Sequence, residues 1–227
     1  MTYYKVLDGQ QSCYGGSATW QLWQWMPEIK NITLCSRGYH LCQDEQVLKW
    51  LGQTIYEAEI HPNAMVIKAS DKIIVSCCRI VRLCEGWTER TARLFACTCA
   101  SHALRREARV GCKPDSRTYT AIRVARQFAK GQASAEEMVS ARNAAYRAPA
   151  IGATATGVAF CNVTQAAEEQ QAGAARTARA AAWIAACDAA WDAAGAPGWD
   201  TIWDAAQSAA WDAERAWQWT RLQRILR

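Results

Sequence analysis

The chain is poor in the residues that most often carry chemistry. Its 227 residues include three His, three Phe, four Met and five Pro. With only His40, His61 and His102 available, imidazole-based general-base or metal chemistry has little material. No long apolar run exists. The longest uncharged stretch, residues 148–167, holds Pro149, Gly152 and Gly157 among Ala and Thr, and reads as a small-residue helix rather than a membrane span. The opening MTYYKVLDGQQ lacks the basic stretch and apolar run of a secretory signal. A cytoplasmic protein with no membrane partner is therefore expected. Zinc-knuckle spacing is missing too: Cys77 and Cys78 are adjacent on an expected strand, and Cys97 and Cys99 diverge on an expected helix. The glycine turn at residues 13–17 is too short for a phosphate-cradling loop and has no following Lys.

Cysteine itself is plentiful. There are 11, an odd count that together with the absent signal predicts reduced thiols, most of them buried as small hydrophobes. In LCSRGYHLC, Cys35, His40 and Cys42 form the one set with any ligand character. No metal and no cofactor is expected. Hydrophobic residues make up 51% of the chain, which excludes wholesale disorder.

The pattern of elements predicts an α+β protein: a small β-rich N-terminal region with one short helix (residues 1–85), then an all-α, alanine-rich helical bundle (86–227). Strands are expected at residues 3–7, 19–25, 32–35, 54–60, 65–68 and 72–83, the last a central strand or hairpin arm because of its β-branched run KIIVSCCRIVRLC. A short helix is expected near 44–51, where Val47, Leu48 and Leu51 have helical spacing. Beyond Gly86, Thr88 opens a helix to about Leu104. Asp115 or Ser116 starts a second that Gly131 closes, and a Ser134–Glu137 capping box starts a third that Pro149 stops. Two long alanine-rich stretches follow, about 151–194 and 200–226. A Trp-Asp-Ala core recurs in them, and Trp183, Cys187 and Trp191, like Trp211, Arg215 and Trp219, share a helix face. Two readings of that face stand side by side: bundle core, or an exposed aromatic stripe for a partner.

Charge is unevenly spread. Residues 1–85 carry 8 basic and 8 acidic side chains, residues 86–130 carry 10 and 3, and residues 131–227 carry 8 and 10. The surplus makes Arg105, Arg106, Arg109, Arg117, Arg123, Arg126 and Lys130 the candidate binding residues, with Arg123, Arg126 and Lys130 forming one stripe. Helix-turn-helix and related DNA-binding patterns are missing. Glu57 and Glu59 share one strand face and could act as a carboxylate pair. Catalytic residues are not assigned.

YKVLDG, the Cys-Gly segment near 13–16, SRGYHLC, IYEAEI and DKIIVSCCRIVR together resemble a phage-associated domain of unknown function. The resemblance is carried by Tyr3 or Tyr4, Lys5, Gly38, Tyr39, His40, Cys42, Tyr56, Glu57, Glu59, Asp71 and Lys72. RTARLFACTCASHAL and DSRTYTAIRVARQFAKGQASAEEMVSARNAAYRA resemble alanine-rich helical proteins, some labelled immunity proteins. Both resemblances imply a phage or mobile-element setting and add Tyr39 and His40 to the candidate binding residues. The expected function is non-enzymatic binding of a host or defence protein, as an anti-CRISPR-like counter-defence inhibitor or an immunity protein. Gly-Tyr-His before a helix, then a Glu-bearing strand, is also similar to ADP-ribosyltransferase-like folds, without their Ser-Thr-Ser strand. That alternative implies an NAD site at Tyr39, His40 and Glu57 or Glu59. A third reading is nucleic-acid binding through the basic helices at 88–130.

Overall fold

Seven strands come from the first 83 residues: β1 (Tyr3–Asp8), β2 (Gln11–Ser12), β3 (Tyr39–Gln43), β4 (Thr54–Ile60), β5 (Val66–Lys68), β6 (Ile73–Val75) and β7 (Cys78–Leu83). They form one antiparallel sheet in the order β5-β6-β3-β1-β4-β7, with β2 paired to β1. Helices supply the rest: α1 (Val47–Trp50), α2 (Glu89–Arg109), α3 (Ser116–Ala129), α4 (Ala135–Tyr146), α5 (Gln171–Ala194) and α6 (Ala205–Leu226). The chain is thus an α+β protein. In this computed structural model, residues 2–13, 16–109, 111, 113–147, 171–194 and 205–227 are described. They fall into two compact units, residues 1–88 with 223–227, and residues 89–222.

In the first unit the strand register decides which side chains share a face. Tyr4 lies opposite Cys42 and Glu57, and His40 opposite Ile74, so these residues point one way with Val6 and Ile55. The short α1 packs against β1 and β3, and its Val47 and Leu48 are fully buried. The opposite face carries Leu7, Tyr39, Leu41, Tyr56, Ala58, Ile73, Val75, Cys78 and Ile80, joined by Trp20 and Met26 from an irregular segment.

Three expected strands came out differently. Residues 19–25 form no strand, because Trp23 adopts φ 65° and turns the backbone. That segment instead runs beside β7, where the N–H groups of Trp23, Met26 and Ile29 donate to the carbonyls of Ile80, Cys78 and Ser76. The outer edge of β7 is thereby covered. Residues 32–35 make a turn with Cys35 at φ 60°. Residues 72–83 split into β6 and β7, which lie far apart in the sheet, β7 at its end. Ser76 and Cys77 make the break, and His61 N–H donates to the Cys77 carbonyl.

The helical unit begins and ends its elements much as the caps predict. The Asp115 side chain accepts from the Arg117 N–H, Ser134 and Glu137 form a reciprocal capping box, and Gly131 ends α3 at φ 71°. α2 runs a turn further than expected, to Arg109. It packs against α5 and α3, and α3 packs against α4. The buried face of α5 is alanine: Ala174, Ala178, Ala181, Ala182, Ala185, Ala186, Ala189 and Ala190 are all at most 4% exposed. Tryptophan sits beside this core rather than within it. Trp183 is 45% exposed and meets Trp211 edge-on at 4.8 Å, while Trp219 is buried. Residues 151–170, the break at 195–198 and Trp203 lie outside the described residues.

Gly38 enters β3 at φ 134°, and an added Cβ would collide with Ile74 Cγ2. Gly38→Ala should therefore cost about 1–3 kcal/mol through strain and overpacking. Gly131→Ala, at φ 71° with open space around it, should cost only about 1 kcal/mol. Urea unfolding midpoints of the two variants provide the comparison.

Candidate anion-binding groove

Tyr119, Ile122, Arg123, Arg126, Gln127 and Lys130 follow one another at helical spacing on a single side of α3. With Ser101 of α2 and Gln132 they line a groove of about 370 Å³. Two arginines and one lysine are among the lining residues, and among the described residues no carboxylate lines it. Arg126 is held in place across the helix pair: its Nη2 donates to Ser101 Oγ at 2.8 Å and to the Cys97 carbonyl at 3.3 Å. Its Nε and Nη1 have no partner among the described residues. Arg123 makes one long bond, Nη1 to Gln127 Oε1 at 3.4 Å, at the weak end of the range. Lys130 is exposed and forms no ion pair among the described residues. Elsewhere between α2 and α3, the Arg93 guanidinium lies 5.3 Å from the Phe128 ring centre while pairing with Glu89. Unneutralised cations around a concave surface focus positive potential there.

The structure thus brings three of the candidate cations, Arg123, Arg126 and Lys130, into one groove and distributes the others. Arg105 is exposed, with its Nε bonded to the Ser101 carbonyl at 3.1 Å. Arg109 is exposed in the last turn of α2, where a cation complements the helix dipole.

Arg106 is a correction: it is a structural residue. Its Nη1 donates to Glu214 Oε2 at 3.0 Å and its Nη2 to the Ala185 carbonyl at 3.1 Å. Glu214, 4% exposed, also meets His102 Nδ1 at 2.9 Å and accepts from Gln218 Nε2 at 3.0 Å. The His102 ring stacks on Trp217 at 3.8 Å. Arg117 is a second correction. It is locked to its neighbour Asp115 through Nε and Nη2, both at 2.8 Å, and those bonds hold the Asp115 carboxyl down at about 2.

In the sheet unit, Tyr39 is a core residue: its hydroxyl donates to the Pro27 carbonyl at 2.8 Å and its ring meets Trp20 edge-on. His40 lies half-buried on the other face, with Nε2 buried and without a hydrogen-bond partner. Burial, with Lys5 and Lys72 nearby, pulls its pKa below the ordinary 6.5. Glu57 and Glu59 do not pair with each other. Arg82 takes Glu57 through Nε at 3.0 Å, and Arg79 takes Glu59 through Nε at 2.9 Å and Nη2 at 2.7 Å. Burial pushes the Cys42, Cys78 and Cys97 thiols up to about 12, so they are unreactive small hydrophobes. No three His, Cys, Asp or Glu side chains converge on a metal-binding position among the described residues. None of the described helices is long and apolar enough to cross a membrane.

Sequence reasoning missed Tyr119, Gln127 and Gln132, although the spacing from 119 to 130 was there to be extended by one turn. Ser101 and Glu214 gave no local signal, because their partners lie on other helices.

Removing one partner of the buried Arg106–Glu214 pair leaves an uncompensated charge. Arg106→Ala or Glu214→Gln should lower stability by about 3–5 kcal/mol, whereas Arg109→Ala should stay within about 0.5 kcal/mol, as read by chemical denaturation. A pH dependence follows from His40. Below the ordinary 6.5 the unfolded chain protonates this imidazole while the folded chain resists. Stability should therefore fall as pH drops from 6.5 toward the lower folded value. His40→Gln should flatten that segment of a stability–pH curve. Comparison with protein-family models, curated proteins and solved structures gives no match.

Proposed function

We propose that this chain is a non-enzymatic, phage- or mobile-element-encoded protein that binds and modulates a host or defence protein, as a counter-defence inhibitor of the anti-CRISPR type or as an immunity protein. The phage setting rests on the motif resemblance. One observation carries the binding reading: Arg123, Arg126 and Lys130 line a groove that no carboxylate among the described residues lines. The tyrosine and the two glutamates that an ADP-ribosyl enzyme would use are committed elsewhere. Tyr39 hydroxyl is bonded to a backbone carbonyl, and Glu57 and Glu59 are each held by an arginine. Nucleic-acid binding uses the same cations and is the reading to separate experimentally.

The test is capture from host lysate with the tagged full chain, with and without nuclease, beside an Arg123→Glu/Lys130→Glu variant. A protein retained in stoichiometric amount after nuclease treatment is the expected result. Retention of nucleic acid alone, abolished by nuclease, overturns the proposal in favour of a DNA- or RNA-binding protein.

A further inference from the structure

The groove also constrains what the partner looks like. Its lining includes Ile122, at 3% exposure, and the half-exposed Tyr119. Its walls are cationic and amide-bearing, from Arg123, Arg126, Lys130 and Gln127. Arg123 and Lys130 are two turns apart, a span of about 10 Å at 1.5 Å per residue. A segment in the polyproline II conformation advances about 3.1 Å per residue with three residues per turn, so carboxylates three residues apart share one face and meet both cations. The Arg126 guanidinium, pre-positioned by Ser101 through Nη2, keeps Nε–H and Nη1–H as single donors for carboxylates.

A long polyanion fits less well. A phosphodiester strand needs cations that continue along its path. Past Gln132, the chain instead exposes Glu136 and Glu137 in the first turn of α4. These carboxylates limit the anionic ligand to a short segment.

We infer that the groove on α3 binds a short acidic segment of a protein partner, with carboxylates at every third position. This rests on the protein-binding reading above and specifies the chemistry of the partner.

Fluorescence anisotropy with the purified full chain tests it. The probe is a fluorescein-labelled dodecapeptide of repeating Glu-Leu-Ser, compared with its Gln-Leu-Ser counterpart and with an oligothymidylate of equal length. The acidic peptide is expected to bind at least about tenfold more tightly than the neutral one, with affinity falling as salt rises. Arg123→Gln/Lys130→Gln should weaken it at least about tenfold without moving the thermal midpoint. Ser101→Ala should weaken it less, by releasing Arg126. Arg105→Gln/Arg109→Gln, outside the groove, should change it by no more than about twofold. Equal binding of the two peptides, indifference to the groove variant, or tighter binding of the oligothymidylate would each overturn the inference. The two readings also fail separately. A lysate partner retained by the Arg123→Glu/Lys130→Glu variant leaves protein binding standing and removes the groove from it. Groove-dependent peptide binding with no lysate partner supports the groove and removes the wider reading.

Discussion

The carboxylate of Glu214 is the point on which the helical unit depends. It is almost fully buried and receives Arg106 and His102 from α2 and Gln218 from its own helix. Two of those partners pass the interaction on, Arg106 to the Ala185 carbonyl and Gln218 to the Ala182 carbonyl of α5. One charge therefore ties three helices. A buried carboxylate is unfavourable unless every lone pair finds a donor, and that demand has a structural consequence. The face α5 offers is alanine, which looks much the same from one turn to the next. Apolar contact alone does not distinguish one register of such a surface from its neighbour, whereas a carboxylate that must meet a guanidinium and an imidazole does.

That constraint separates the roles of arginines that lie within one turn of each other. Successive residues on a helix point about 100° apart. Arg106 is aimed into the α5–α6 side of α2 and is consumed by the network. Arg105 lies about 100° round the helix and Arg109 one turn nearer its end, and both remain exposed. Ser101, on the α3 side, orients Arg126. With α2 held on one side by Glu214, its other side is a firm support against which α3 presents cations. The groove is preorganised to that extent, and preorganisation is what lets a few charged contacts select one partner chemistry over another.

Much of this fold was legible because it is written in local patterns. Asp115, Gly131 and Ser134 mark helix ends through backbone chemistry that needs no tertiary partner. The period-2 run at residues 54–60 is β4 to the residue. The errors came where tertiary context overrides composition. Tryptophan and threonine at 19–25 suit a strand, yet that segment seals the edge of β7 by turning at Trp23. The β-branched run at 72–83 reads as one strand, but it must leave one end of the sheet and reach the other, so it breaks at Ser76. The Trp repeat left core and exposed stripe both open, and the structure divides them: Trp219 is buried, Trp183 is exposed, and α5 buries alanine. For the groove, the stripe from Arg123 to Lys130 was visible in the spacing alone. Arg106 looked equivalent to its neighbours because the residue that claims it, Glu214, is more than a hundred positions away.

The residues that carry the phage-domain resemblance turn out to be bonded to one another's surroundings. Lys5 is buried at 7% exposure, with Nζ donating to the His40 carbonyl at 3.1 Å and lying 4.6 Å from the Trp20 ring centre. Burial lowers its pKa, so this lysine is held by a hydrogen bond and an aromatic face rather than by a counter-ion. Gly38 gives way to Ile74, Tyr39 packs on Trp20, Glu57 and Glu59 clasp the two arginines of β7, and Asp71 bridges Lys49 and Lys72. Each motif position does structural work within the sheet and its flanking segment. A set of residues of this kind specifies a fold, and a fold by itself does not specify an activity. Among the described residues, the α3 groove gathers Arg123, Arg126 and Lys130 with no ion pair between them and any carboxylate, and there a ligand finds charge that the fold has not used.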